Sequence, residues 1–337
     1  ARGIGTETGN QWIGSGYGAN PTIVLTGCAS GGSFDHNNDA GIHLNDLFNV
    51  SGTQTVYAAS ISIYGGNAAY GGAGFSLEQT GIGHFYVDGD LYMQGGASSA
   101  GDPLASAAYI GADAYGANIT LHVGGNMTMH GGTGTSSPVL IGSLQRTLNL
   151  DADIAGNLVL TANGSFVRIG SNAATGYGGG NISVGVGGSV ALTSSATQSA
   201  SIGTFNSDGA ASVISLYGAT VSLDGTAGGK VGVGIRDLAA AGDGVVVKAT
   251  AGNLSITGYG GIGAPNNVSD VMVAAYGGQL LIDGNAANGV GISGDTLSVY
   301  GQSGISITDA SLTAYGSMTV ESAGNMSLVA VERATGL

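Results

Sequence analysis

The chain has 337 residues, 66 of them glycine, and is 43% hydrophobic but only 8% charged. Disordered chains are poor in apolar residues and rich in charge, so this composition belongs to a folded chain; with only 4 prolines and no glycine at every third place, it is not collagen. A net charge of −14, from 21 acidic against 7 basic residues, lacks the clustered Lys and Arg that nucleic acids and anionic membranes require.

Along the chain, residues 1–20 have little strand pattern apart from Trp12 beside Ile13, and read as an N-terminal arm or an irregular first coil. Cys28 is the only cysteine, which rules out an internal disulfide. Thr22 to Thr26 is a clear strand, whereas residues 31–49 are polar and irregular and read as a loop insertion. Strands resume at Val56, Ile61–Ile63, Phe85–Val87 and Leu91–Met93, and from Ile110 to Leu328 the pattern is nearly continuous. With no break in composition, residues 21–337 form one domain. No apolar run reaches the ~18 residues of a membrane helix. No signal-peptide pattern follows Ala1, so the sequence reads as a mature or excised product.

The segment 156–193 shows the construction. Leu158–Leu160, Phe166–Ile169, Ile182–Val184 and Val190–Leu192 are short runs separated by Gly, Asn, Ser and Ala. Apolar residues fall mostly at every second position, which turns one face of a strand inward. The intervals are too short for crossover helices, so an ordinary α/β sheet is excluded. Ile followed by a small or polar residue recurs at Ile13, Ile42, Ile82, Ile110, Ile141, Ile169, Ile202, Ile235, Ile262 and Ile292, at intervals of 27 to 40 residues. A second mark enters a strand at Gly125-Asn126, Gly156-Asn157, Gly180-Asn181, Gly252-Asn253 and Gly324-Asn325. Such a period is a solenoid signal; propeller blades are longer, and the Leu/Asn consensus of leucine-rich repeats is missing. The expected fold is all-β: a single right-handed parallel β-helix (β-solenoid) of about ten to twelve coils, each of about 30 residues. At ~4.8 Å per coil the stack is roughly 50 to 60 Å long.

Glycine suits the tight or left-handed corners of such a coil, and Asn tolerates them next best. Repeated Gly-Asn therefore predicts stacked corners with amides hydrogen-bonded along the axis. Met127, Met129, Met318 and Met326 have inward parity and fill gaps. Of the 14 tyrosines, ten precede a glycine. Tyr64, Tyr115, Tyr217, Tyr259, Tyr276, Tyr300 and Tyr315 are the candidate interaction residues among them. The parity of Ile63, Leu216, Val299 and Ala314 points the following ring outward at a strand end. Each ring either covers its own strand end or belongs to a contact stripe.

The units Gly124-Gly125-Asn126-Met127-Thr128-Met129, Gly179-Gly180-Asn181-Ile182-Ser183-Val184 and Gly252-Asn253-Leu254-Ser255-Ile256, with the Gly/Ala/Ser-rich corners, resemble the repeat region of filamentous-haemagglutinin-like exoproteins over about residues 80–330. Those are bacterial surface adhesins exported by two-partner secretion. The resemblance implies a right-handed parallel β-helix, surface location and adhesion. The family's export domain carries Asn-Pro-Asn-Gly and Asn-Pro-Asn-Leu motifs, whereas this chain has only Asn20-Pro21, so it looks like shaft rather than export domain.

An enzyme on a β-helix needs paired carboxylates at a set separation, or Ca²⁺ with a basic residue. Asp88/Asp90 and Asp151/Asp153 are spaced for one strand face, but both pairs flank turn-like residues and are expected at solvated corners. Asp35, His36, Asp39, His43 and Asp46 form the one cluster with metal-ligand chemistry. They could hold a divalent cation such as calcium, or they are simply a polar loop. His84, His122 and His130 are isolated, the last two with outward parity. Eight Asn-x-Ser/Thr sequons, at Asn49, Asn118, Asn126, Asn163, Asn181, Asn253, Asn267 and Asn325, mostly coincide with the corner–strand repeat, which explains them. The expectation is no catalytic site and no cofactor.

The C-terminal run stays strand-like almost to its end, and an uncovered β-helix end is a template for another chain. Trp12, Met318, Val320, Met326, Leu328 and Val331 are the candidate end-to-end contacts. The functional expectation is an extracellular structural or adhesive solenoid at a bacterial cell surface, stacking head to tail into a surface or matrix filament. Its partners would be copies of itself, surface polysaccharide or other cells, with no nucleic acid and no membrane insertion. The alternatives are an excised shaft segment of a large adhesin, or a β-helix that binds or cleaves polysaccharide.

Overall fold

A computed structural model describes residues 4–6, 10–15, 18–29, 40–44, 52–68, 71–77, 81–99, 106–112, 116–143, 148–172, 180–206, 211–237, 243–263, 269–284 and 289–329. Every regular element among them is a β-strand. Each turn of the coil has three sides, as in Ala108–Ala112, Ala117–Val123 and Met127–His130. Each strand pairs in parallel with the strand on the same side one turn later, as Ile110 does with Ile141 and Met127 with Leu158. The third side is a ladder of 11 strands, so the parallel β-helix has 11 coils, about 50 Å of stack at ~4.8 Å per step. The first and second sides merge into one 20-stranded sheet, because in the last two coils Val290–Gly301 and Ala310–Ser322 run through both sides unbroken.

The coil closes because alternate side chains are apolar. Leu148–Ile154 and Asp243–Ala249 show strict in–out burial, and the inward residues form one continuous core from Ile42 to Ile307. On the first side one inward column runs Ile42, Phe75, Ile110, Ile141, Ile169, Ile202, Val233, Ile262, Ile292 and Leu312. Seven of the ten isoleucine marks stand on it. The other three do not. Ile13 lies on the second side, Ile82 opens a second-side strand and is 38% exposed, and Ile235 comes two residues after Val233, which holds the column. The last step, from Ile292 to Leu312, is only 20 residues, since no corner interrupts Val290–Gly301 between its two sides.

Glycine is not confined to corners. Within the first-side strands, Gly111, Gly142, Gly170 and Gly203 stack in register, all with φ between 142° and 149°. A Cβ on Gly142 would lie 2.0 Å from the Gly170 carbonyl oxygen. The Ile-Gly mark is therefore a backbone requirement.

The Asn corners behave as expected. At the turn from second to third side, Asp90 Oδ1 accepts the Asn126 N–H (2.7 Å), Asn126 Oδ1 the Asn157 N–H (2.9 Å), and Asn157 Oδ1 the Ser189 N–H (2.8 Å). Asn181 belongs to a separate column on the second side, where its N–H donates to Asn149 Oδ1 (3.0 Å) and Asn149 Nδ2 to Asn118 Oδ1 (2.8 Å). A serine column at the turn from third to first side was not legible in the sequence. Buried Ser106, Ser137 and Ser165 use their hydroxyls to satisfy corner carbonyls, as Ser165 Oγ does for Gly134 O at 2.7 Å.

Two segments gain definition from the structure. Within residues 1–20, the described strands Ile4–Thr6 and Gln11–Ile13 pair with coil 2, as the irregular-first-coil alternative has it. Within 31–49, Ala40–Leu44 is the first-side strand of coil 2 and pairs on both edges. Its neighbours 30–39 and 45–51 lie outside the described residues.

Candidate functional site

The described Tyr-Gly tyrosines all point outward, but they fall into four groups at different corners rather than one line. At the turn from second to third side, Lys248 Nζ lies 5.6 Å from the Tyr217 ring centre and 5.8 Å from that of Tyr276, and Tyr276 and Tyr300 are 5.4 Å apart. The Tyr300 hydroxyl donates to Gln302 Oε1. Tyr64 packs against Tyr92 at 5.5 Å on the third side, and Tyr92 against His130 at 5.8 Å. Tyr259 lies under Lys230 (5.9 Å) where the coil returns to the first side. Tyr315 is exposed on the last coil. Tyr115 lies outside the described residues.

Sequence reading missed the best-ordered aromatic column. Tyr57, Tyr86 and His122 share one outward register on the second side. Their rings stack at 4.9 Å and 5.3 Å, within 15° of parallel, and Trp12 leans on the end at 6.1 Å. The rings lie face against face, so the column stabilises the sheet as cross-strand aromatic pairs do. No local motif marks it, because its members are neighbours only through register.

Burial pushes the Tyr92 phenol above its ordinary value, and Tyr64 beside it adds to the shift. Below about pH 10 the phenol is protonated in folded and unfolded chains alike. Above that the unfolded chain ionises first, so this group's contribution falls as pH rises towards the folded pKa. Tyr92→Phe should therefore show a shallower loss of stability than wild type in denaturant titrations between about pH 9.5 and 11; parallel profiles would contradict the assignment.

Asp88 accepts from Asn20 Nδ2 at 2.9 Å and Asp90 caps the Asn126 corner, both at a turn as expected. Asp151 and Asp153 correct the corner reading, because both are exposed on the outer face of the strand Leu148–Ile154. His122 is exposed against Tyr86, His130 is half-buried, and half-buried His84 sits in register between Thr55 and Thr120. Of the proposed metal cluster, Asp35, His36, Asp39 and Asp46 lie outside the described residues; His43 is placed by its backbone alone, paired with Ser76. Among the described residues, no three His, Cys, Asp or Glu side chains gather as a metal site would require.

A groove of about 310 Å³ crosses the first side over coils 7–11. Its floor is almost free of side chains, with Ser201, Gly232, Gly261, Gly291 and Ser311 in register, and Lys230 at its rim. No described lining residue is acidic or a histidine. The groove can bury a flat chain, but it presents no carboxylate pair.

The end of the stack is the other notable surface. In coil 11 the side chains of inward parity are uncovered: Met318 is 44% exposed, Met326 46% and Leu328 66%. Val320 is half-buried, and Val331 lies outside the described residues. Trp12, in coil 1, is 54% exposed. No family model, curated protein or solved structure matches this chain.

Proposed function

We propose that this chain is a non-catalytic structural and adhesive β-solenoid of the bacterial extracellular surface, which elongates by stacking copies of itself head to tail. The observation that carries the reading is the open face of coil 11. Its apolar inward residues and the unpaired edge of Ala310–Ser322 and Asn325–Val329 have no cover among the described residues. An unpaired strand edge templates strand addition, and a contact between unlike ends propagates without closing. The low charge, the scarcity of Lys and the likeness to filamentous-haemagglutinin repeats support the surface location. A shaft segment of a larger adhesin is the second reading, since a coil contributed by the same polypeptide would cover this face equally well. Electron microscopy at neutral pH separates them. Filaments of indefinite length are expected; short rods that stay monomeric at high concentration would leave only the shaft.

The groove keeps a polysaccharide partner in view, bound rather than cleaved. Incubation with uronic-acid and neutral polysaccharides should yield no new reducing ends and no unsaturated products. Turnover that is lost on mutating Asp35, Asp39 or His43 would reverse the non-catalytic assignment.

A further inference from the structure

We infer, resting on the stacking reading above, that the joint between copies continues the coil in register: coil 11 of one copy seats on coil 1 of the next as though the stack had not been interrupted. Four inward columns can be followed through the whole molecule by strand pairing. The column that begins at Ile13 passes through Val56, Phe85 and Leu121 and ends at Val320. The column of Ile23 ends at Met326, that of Leu25 at Leu328, and that of Gln11 at Met318. The two end faces thus carry the same columns, and both are incompletely covered. Ile13, Ile23 and Leu25 are only half-buried in coil 1, as Val320 is in coil 11, whereas Gln11 is buried and accepts from Gln54 Nε2.

Seating the two faces in register places Val320 over Ile13, Met326 over Ile23 and Leu328 over Leu25, with Met318 over the Gln11 stem. All three apolar pairs are ones the interior already uses elsewhere. Among the outward positions meeting at the joint, Ser327 faces Val24, Thr319 faces Trp12 and Glu321 faces Gly14, so no like charges of the described residues oppose one another. A shift of one residue would turn every inward side chain to solvent. A rotation by one side would stack the five-residue edge Asn325–Val329 against the wrong ladder. The joint therefore has one register, and the partner is a second copy of this chain.

The test uses the full chain with Cys28→Ser, to remove the native thiol, and two outward third-side substitutions, Val24→Cys and Ser327→Cys. Ten coil steps separate these positions within one molecule, about 48 Å at ~4.8 Å per step, so no intramolecular disulfide can form. Across an in-register joint their Cα atoms come within about 5 Å, inside the range a disulfide spans. Mild oxidation should convert most of the protein into a ladder of dimers and larger species on a reducing-agent-free denaturing gel. The rotated pair, Val24→Cys with Thr319→Cys, should stay monomeric. Filaments in the microscope without the first cross-link, or with only the rotated one, would overturn the register while leaving the stacking reading intact. Absence of both filaments and cross-links would overturn both. Apart from Cys28→Ser, both variants change only outward side chains, and an unaltered β-rich circular dichroism spectrum verifies that they fold.

Discussion

Replacing Gly170 by alanine should destabilise the coil at its middle by about 3 kcal/mol or more. Gly170 has φ of 149°, where a side chain is strained, and an added Cβ would sit 1.8 Å from the Gly203 carbonyl oxygen. The obstructing atom is backbone in the next coil, so no side-chain rotation relieves it; coils 6 and 7 must part. Gly291→Ala is the matched comparison. It lies on the same side, its φ is ordinary, and the nearest atom to its Cβ is the movable Ser311 Oγ at 3.2 Å, so its cost should stay within about 0.5 kcal/mol. Because solenoid stability is a sum of coil and neighbour terms, the Gly170 variant should also become sensitive to limited proteolysis between coils 6 and 7. Equal denaturation midpoints for the two variants would refute the backbone account of this glycine column.

Phe85→Ala should cost about 3–5 kcal/mol. In coil 3 two inward columns both carry phenylalanine. Phe75 and Phe85 are fully buried and meet edge to face, with centres 5.2 Å apart and planes at 77°. The neighbouring inward position is Gly83, where a Cβ would lie 2.7 Å from both Leu77 and Phe85, so the ring occupies space that its own strand leaves vacant. Truncation opens a cavity that Val56 below and Leu121 above cannot fill without leaving their own strands. Phe85→Leu, which repeats the residue found one coil later at Leu121, should cost less than about 1.5 kcal/mol. Urea or guanidinium midpoints at constant m-value measure both. A small loss for alanine would mean that the coil collapses around the gap.

Much of the fold was legible because its determinants are local. In–out alternation inside Leu148–Ile154, and Gly-Asn at a corner such as Gly125-Asn126, are fixed by neighbouring residues, and their recurrence sets the solenoid and the number of coils. Surface side-chain columns were less legible, because they depend on which residues from successive coils fall into one column. Tyr57, Tyr86 and His122 are 29 and 36 residues apart, and no single spacing announces them. The described tyrosines before glycine take the outward parity of their strand ends, since parity is local; that Lys248 lies between Tyr217 and Tyr276 is a fact of register.

By itself, then, the sequence determined a charge-poor parallel coil, the inward parity of its apolar residues and the stacked amides of its corners. These follow from period-two geometry and the backbone demands of tight turns, which each short segment satisfies alone. Tertiary structure decided what the variable coil lengths obscure: that Ala40–Leu44 is a strand despite its polar surroundings, that Asp151 and Asp153 lie on a strand rather than at a corner, and that Val233 rather than Ile235 holds the first-side column. It also decided that Met318 and Met326, inward by parity like Met127 and Met129, end at an open face. An inward side chain is buried only when another coil stacks on it, and that depends on the strand above rather than on its own sequence.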